Sequence, residues 1–312
     1  MVLLGGLANK PLAQSIADIL KKKIYFPTSK FADGEYKIQI PVSLTNESVF
    51  IIQPTSKPVN DNIMELLLLC DAAKRAGAIE IVAVLPYYGY SRQDRKDEPR
   101  VPISSAVIAS ALKNSGATRI ITLDIHSEQQ QGFFDGPWDN LYGSYVLIPF
   151  IRKLRLKNPV IVSPDKGGAP RANAFAKFLK IDDVAIVFKE RDTKVKNEST
   201  ALYVIGNVKN RELIIVDDMI DTAGTMLNAT KMLKKEGASK IYLVATHGLF
   251  SEKALENISD KSIDQVYCTD TVPLDELILK CNKVKVISVA PLLAEVIRRT
   301  IKGEALSEDL IL

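Results

Sequence analysis

Two kinds of hydrophobic pattern alternate along this chain. Residues 48–53 form a short, mostly apolar run, residues 62–76 carry apolar positions at helical spacing, and residues 79–85 are again a compact apolar run. Runs that lack apolar–polar alternation suit strands buried on both faces of a parallel sheet. Their interleaving with helices predicts βαβ units and an α/β class, each half of the chain a mostly parallel sheet flanked by helices. Three predicted helices stop at glycine before the next strand, at Gly77, Gly116 and Gly237, where a residue in the left-handed region ends a helix. Gly77 and Gly237 lie about 160 residues apart in the same strand, loop, helix, glycine, strand order, which implies two similar halves. Turn residues at Gly136-Pro137 and over 142–149, followed by a short basic helix at 150–157, place the boundary near residue 145. The expected domains are 1–145 and 146–312.

Composition narrows the classes. At 312 residues and 46% hydrophobic content, the chain can bury two domain cores. Cys70, Cys268 and Cys281 are odd in number and widely spaced, which fits neither a disulfide framework nor a zinc site and points to a reduced, cytoplasmic setting. No run approaches the roughly 18–20 apolar residues of a membrane span, and the first 20 residues lack a signal-peptide pattern. The net charge of +4 comes from 41 basic and 37 acidic residues mixed along the chain, giving no support for nucleic-acid binding.

Candidate chemistry concentrates at strand ends. The tetrad Leu213, Ile214, Ile215 and Val216 runs into Asp217 and Asp218, then Asp221, Thr222, Ala223, Gly224 and Thr225 before a helix. Ligands of parallel sheets bind beyond the carboxyl ends of strands. Two carboxylates there can accept hydrogen bonds from paired sugar hydroxyls, and a small-residue turn into a helix N-terminus attracts phosphate. The competing reading, a plain strand end with Asp221 or Thr222 as helix cap, does not require the paired carboxylates. A second such loop reads Asp165-Lys166-Gly167-Gly168. Its glycines admit an anion close to backbone N–H groups, and Asp165 suits magnesium on a diphosphate, although the tetrapeptide alone is also a common turn.

In the first half, Asp124, His126, Asp135 and Asp139 cluster in sequence. If the strand before them persists, Asp124 and His126 share one face and converge on an ion or phosphate; a structural histidine is the alternative. Phe31, Asp33, Gly34 and Glu35 pair an aromatic with two carboxylates, and Arg92-Gln93 supply a cation and an amide. Phe31 can stack on a purine, Gln93 can read its edge and Arg92 can clamp a polyphosphate, while a core aromatic and a solvated basic loop would account for the same residues. Lys189 and Arg191 leave a strand at 184–188 and precede a polar stretch at 193–200, expected to be a closing surface loop that brings cations onto a transferring phosphoryl group.

Together these stretches resemble the ribose-phosphate diphosphokinase family over almost the whole chain. The resemblance implies two tandem phosphoribosyltransferase-type domains and transfer of the diphosphoryl group of ATP to the anomeric hydroxyl of ribose 5-phosphate, with magnesium required. It further implies that Asp217, Asp218 and Asp221 to Thr225, with Arg191, bind ribose 5-phosphate. His126 and Asp165 would contact the metal and the reacting phosphates. Phe31, Asp33, Gly34 and Glu35, from a neighbouring subunit, would form the ATP site with Arg92 and Gln93. Lys189 and Arg191 would be the catalytic pair, and the assembly a homo-oligomer, usually a hexamer. Departures from the family pattern are Ala223, Lys166 and Ala106, and at the regulatory site Thr45 in place of arginine and Gly77 in place of serine. The last two imply weakened activation by inorganic phosphate and weakened inhibition by ADP. The alternatives are a phosphoribosyltransferase, which needs neither the ATP-like stretches nor a duplicated domain, and a non-catalytic regulatory subunit.

Overall fold

A computed structural model describes the backbone of residues 1–191 and 200–306 and the side chains of 1–188 and 203–306. The chain forms two units. Among the described residues, the first contains 1–143, 271–273 and 288–306, and the second contains the remainder.

In the first unit, β1 (Val2–Gly5), α1 (Lys10–Leu20) and β2 (Ile24–Tyr25) are followed by a hairpin of β3 (Thr28–Lys30) and β4 (Tyr36–Ile38). Then come β5 (Ser48–Ile52), α2 (Val59–Arg75), β6 (Glu80–Leu85), α3 (Ser104–Ser115), β7 (Arg119–Leu123), a 3₁₀ segment (Glu128–Phe133) and β8 (Trp138–Leu141). Apart from the hairpin, the strands make one parallel sheet in the order β2-β1-β5-β6-β7-β8.

The second unit runs α4 (Ser144–Lys153), β9 (Pro159–Ser163), α5 (Ala169–Leu179), β10 (Val184–Arg191), β11 (Thr200–Ile205), β12 (Glu212–Ile220) and α6 (Gly224–Lys235). It continues with β13 (Lys240–Gly248), α7 (Ala254–Ser259), β14 (Gln265–Thr269), α8 (Glu276–Leu279) and β15 (Val284–Ile287). Its sheet order is β11-β10-β9-β12-β13-β14-β15, with only β11 antiparallel. The last helix, α9 (Ala290–Lys302), packs on α1 in the first unit. In both sheets the first strand lies between the second and the next strand parallel to it, β5 in one and β12 in the other, so the halves share one winding.

The expectation of strands buried on both faces holds at β12. Leu213 and Ile215 join a core that includes Met226 and Leu233 of α6, and Ile214 and Val216 join the opposite core with Leu147 of α4 and Phe175 of α5. All four are at most 1% exposed, and burying a side chain of this size contributes about 1.5–3 kcal/mol. Each glycine stop is also present, with φ of +84° at Gly77, +115° at Gly116 and +89° at Gly237.

Two local expectations fail. The 142–149 stretch, read as turn, is helical from Ser144, and Pro149 lies inside α4. The apolar residues Leu147, Ile148 and Ile151 pack that helix against the sheet, and tertiary burial overrides the unfavourable proline. The strand before Asp124 does not persist. β7 ends at Leu123 and Asp124 turns with φ +40°, so Asp124 and His126 do not share a strand face.

Candidate active site

The winding of each sheet creates one place where neighbouring parallel strands send their chains in opposite directions, and a ligand crevice opens there. In the second unit it lies between β9, which leads through α5 to β10, and β12, which leads through α6 to β13. The ladder between β9 and β12 ends with Val162 opposite Ile215. Beyond it β12 continues beside β13, with Asp217 opposite Ala245 and Ile220 opposite Gly248. The two carboxylates therefore sit within an extended strand that outruns its neighbour, rather than after the strand's end as its apolar run suggested. That overhang brings Asp217, partly exposed, and the buried Asp218 to the crevice.

Arg171, on the first turn of α5, holds this pair. Its Nη1 lies 3.4 Å from Asp217 Oδ1 and 3.7 Å from Asp218 Oδ1. Asp217 Oδ1 also accepts from the Asp218 N–H at 2.9 Å, and Asp218 Oδ1 from the Met219 N–H at 2.9 Å. Burial, followed by the repulsion of Asp218, pushes the Asp217 carboxyl well above the usual carboxylate range, and Arg171 offsets only part of this. Arg171 escaped sequence reading because only the packing of α5 beside β12 brings it to the aspartates.

Past the aspartates, Ala223 adopts a left-handed conformation with φ +60° and starts α6; the cap residue itself offers no side-chain acceptor, and the Gly224 N–H reaches Thr222 Oγ1 at 3.5 Å. The helix's first N–H groups and its dipole make an anion site. Asn257 of α7 donates to the Thr222 carbonyl at 2.8 Å, and the Ser251 N–H donates to the Asp221 carbonyl at 3.2 Å, so the loop is braced from behind. Asn257 carried no motif by which the sequence could reveal it. Across the crevice, Asp165 Oδ1 accepts from the Gly168 N–H at 2.9 Å, and Ser163 Oγ donates to the Asp165 carbonyl at 2.6 Å. A Cβ at Gly168 would lie 2.7 Å from Ser163 Oγ, so this close turn needs the glycine.

The corresponding crevice of the first unit, between β1 and β5, is filled by the protein itself. Glu65 of α2 is fully buried and accepts from the Leu7 N–H at 3.0 and 3.1 Å and from Gln53 Nε2 at 2.7 Å. Gln53 Oε1 in turn accepts from the Ala8 N–H at 3.2 Å, and a Cβ at Gly6 would stand 2.1 Å from that oxygen. A carboxylate thus takes the loop N–H groups that a ligand anion would use, and of the two crevices the second unit's is the one left to a ligand.

The remaining candidates of the first unit divide. Asp139 pairs with Arg119 at 3.0 Å, and Asp135 lies exposed near Lys113 at 3.7 Å; neither joins His126, because β8 and the loop before it carry them apart. Asp124 is buried and accepts from the Gly143 N–H at 2.7 Å. His126 is exposed, and its N–H donates to Ser91 Oγ at 2.9 Å, next to Arg92 and Gln93. The structure therefore does join the His126 loop to the Arg92-Gln93 loop. Phe31, Asp33, Gly34 and Glu35 form the tip of the β3–β4 hairpin, closed by Phe31 N–H to Glu35 O at 2.8 Å, with Phe31 53% exposed. The backbones of Lys189 and Arg191 lie in β10, and their side chains, like residues 193–199, fall outside the described residues. Among the described residues no group of three or more His, Cys, Asp or Glu gathers for a metal ion, and no helix is long and apolar enough to cross a membrane.

Two parallel-sheet units with one winding, and a carboxylate pair before a helix N-terminus, define a tandem phosphoribosyltransferase-type protein. Residues 1–116 match the model of the N-terminal domain of ribose phosphate pyrophosphokinase, and residues 192–310 match the phosphoribosyl synthetase-associated domain. The chain is 49% identical to a ribose-phosphate pyrophosphokinase of Helicobacter pylori over 92% of this chain and 90% of that one. With that of Wolinella succinogenes it shares 48% identity over 97% and 96%. The crystal structure of phosphoribosylpyrophosphate synthetase from Mycobacterium smegmatis superposes with a TM-score of 0.91 at 35% identity, covering 97% of this chain and 99% of that one. The chain belongs to the ribose-phosphate pyrophosphokinase family.

Proposed function

We infer that this chain is a ribose-phosphate diphosphokinase, transferring the β,γ-diphosphoryl group of ATP to the anomeric hydroxyl of ribose 5-phosphate and releasing AMP, to supply 5-phosphoribosyl 1-diphosphate for nucleotide biosynthesis. The observation that carries the reading is the Asp217–Asp218 pair on the overhang of β12, one turn before the N-terminus of α6, whose cap residue Ala223 offers no side-chain acceptor. The carboxylates bind the ribose hydroxyls, and the loop Asp221 to Thr225 cradles the 5-phosphate through backbone N–H groups and the Thr222 and Thr225 hydroxyls. Arg171 keeps the aspartates close together while the sugar is absent.

Arg92 and Gln93 bind ATP, and the exposed Phe31 with Asp33, Gly34 and Glu35 completes that site for a neighbouring subunit of a homo-oligomer, a hexamer in our reading. An aromatic half exposed on a projecting hairpin supports this. Lys189 and Arg191 stabilise charge on the transferring group, since in-line phosphoryl transfer needs positioning and neutralisation rather than a protein nucleophile. Arg191 also contacts ribose 5-phosphate.

The donor set fits a magnesium ion carried by the phosphates, because that ion takes one or two protein carboxylates together with phosphate and water oxygens rather than a full protein cage. Asp165 is the carboxylate that would hold it. His126, a nitrogen donor, suits the ion's water shell and the phosphate oxygens. When bound, the ion neutralises charge on the diphosphate.

Phosphorus NMR of the purified chain with magnesium, ATP and ribose 5-phosphate tests the reading. AMP together with a new sugar diphosphate is the expected outcome. ADP would indicate an ordinary kinase, and unchanged substrates a regulatory subunit; either result overturns the reading.

A further inference from the structure

The hydrogen bond from His126 to Ser91 belongs to a buried cluster that no ligand-binding role explains. Gln130, in the 3₁₀ segment, is fully buried between Ser91 and Ser105, themselves 3% and 0% exposed. Its Nε2 donates to the Ser91 carbonyl at 3.0 Å and lies 3.2 Å from Ser91 Oγ. Its Oε1 accepts from Ser105 Oγ at 2.5 Å and from Ser91 Oγ at 3.3 Å. The orientation of the amide follows from chemistry, because a backbone carbonyl only accepts and so faces the NH₂ end.

Each partner belongs to a different part of the nucleotide side of the proposed site. Ser91 immediately precedes Arg92 and Gln93, and its hydroxyl oxygen also accepts the His126 N–H. Ser105 lies in the first turn of α3 and its N–H donates to the Gln93 carbonyl at 3.2 Å, while Ser104 Oγ donates to the Gln93 side-chain oxygen. One amide thus ties the Arg92-Gln93 loop, the His126 loop and the start of α3. A buried, fully connected polar cluster has few alternative arrangements, because any shift orphans a polar group away from water.

We propose that Gln130 is a positioning residue for diphosphoryl transfer, which through Ser91 fixes the backbone of His126 relative to Arg92 and Gln93. The proposal rests on the functional reading above. It separates the substrates: the cluster touches the Arg92-Gln93 loop assigned to ATP and the His126 loop assigned to the reacting phosphates, and none of its hydrogen bonds reaches the residues assigned to ribose 5-phosphate.

The test is steady-state kinetics of Gln130→Leu, which removes the amide at similar volume, beside the wild-type chain. The expected result is a fall of about tenfold in kcat/KM for ATP, from displaced ATP-side groups, with KM for ribose 5-phosphate within about twofold of wild type. If Gln130→Leu does not fold, Gln130→Glu replaces it. Glu keeps the acceptor for Ser105 but, when ionised, cannot donate to the Ser91 carbonyl, and the same selective loss is expected. Wild-type kinetics in a folded variant overturn the proposal, as does an equal rise in KM for both substrates or a lowered melting temperature without the selective ATP effect. A wild-type chain that produces no AMP would instead overturn the functional reading itself, a result seen before any variant is compared.

Discussion

Arg171 Nη1 stands 3.4 Å from Asp217 Oδ1, the carboxylate whose proton affinity is raised by burial and by Asp218. Between the unfolded chain's ordinary carboxylate pKa and the raised folded value, the folded state binds more protons than the unfolded state. Stability from this group is therefore fully present below the ordinary pKa and is lost as pH rises through the raised one. Asp217→Asn is expected to raise the melting temperature at neutral and mildly alkaline pH, each tenfold of proton affinity being worth about 1.4 kcal/mol, while weakening ribose 5-phosphate binding. Thermal unfolding across pH checks the sign, and a lower melting temperature for the variant at alkaline pH would contradict it. Arg171→Leu moves the group further in the same direction, so KM for ribose 5-phosphate should rise most on the acid side.

Ala223 occupies the left-handed region with φ +60° and is buried against the second unit's core. An L residue there costs about 1–2 kcal/mol, and a β-branched one more. Ala223→Val is expected to lower stability and raise KM for ribose 5-phosphate by distorting the turn into α6, with KM for ATP little changed. Wild-type affinity for the sugar phosphate in this variant would remove the turn from the binding site.

The proposed catalytic pair can be separated from binding. Replacing both Lys189 and Arg191 with alanine is expected to abolish turnover while largely preserving ribose 5-phosphate binding, because the Asp217–Asp218 crevice and the start of α6 remain. Calorimetric titration beside an AMP assay measures the two effects, and normal turnover would exclude both residues from the mechanism.

Thr45 and Gly77, the two departures from the family pattern at the regulatory site, are neighbours in the fold. The Asn46 N–H donates to the Gly77 carbonyl at 3.1 Å, and a Cβ at Gly77 would lie 3.5 Å from Thr45 Cα. A site built here lacks the guanidinium fork that grips phosphate oxygens. We hypothesise that the initial rate stays flat as free inorganic phosphate is added at saturating substrates, and a strong rise would refute this.

Local chemistry sufficed wherever a signal lay within a few residues. The non-alternating tetrad Leu213 to Val216 announced a doubly buried strand, the glycines at 77, 116 and 237 announced left-handed helix stops, and Asp217-Asp218 before Thr222-Ala223-Gly224 announced a carboxylate pair leading into a turn and a helix start. These are determined by backbone conformation and side-chain type at adjacent positions, which a sequence displays directly.

Relationships between distant segments needed the tertiary structure. Arg171 reaches the aspartates only because α5 packs beside β12, and Gln130 meets Ser91 and Ser105 only because three loops converge. Asp124, two residues before a candidate histidine, proves to be a buried acceptor for Gly143 because β7 ends one residue earlier. Pro149 sits inside a helix that its own neighbours argued against. The sequence by itself determined that this chain builds two similar halves, each a mostly parallel sheet flanked by helices, with a carboxylate pair and a small-residue turn in the second. Only the folded chain decided that Glu65 fills the first crevice and the second is left to a ligand, since pairing a buried carboxylate with loop N–H groups 58 residues away depends on packing that no local pattern records.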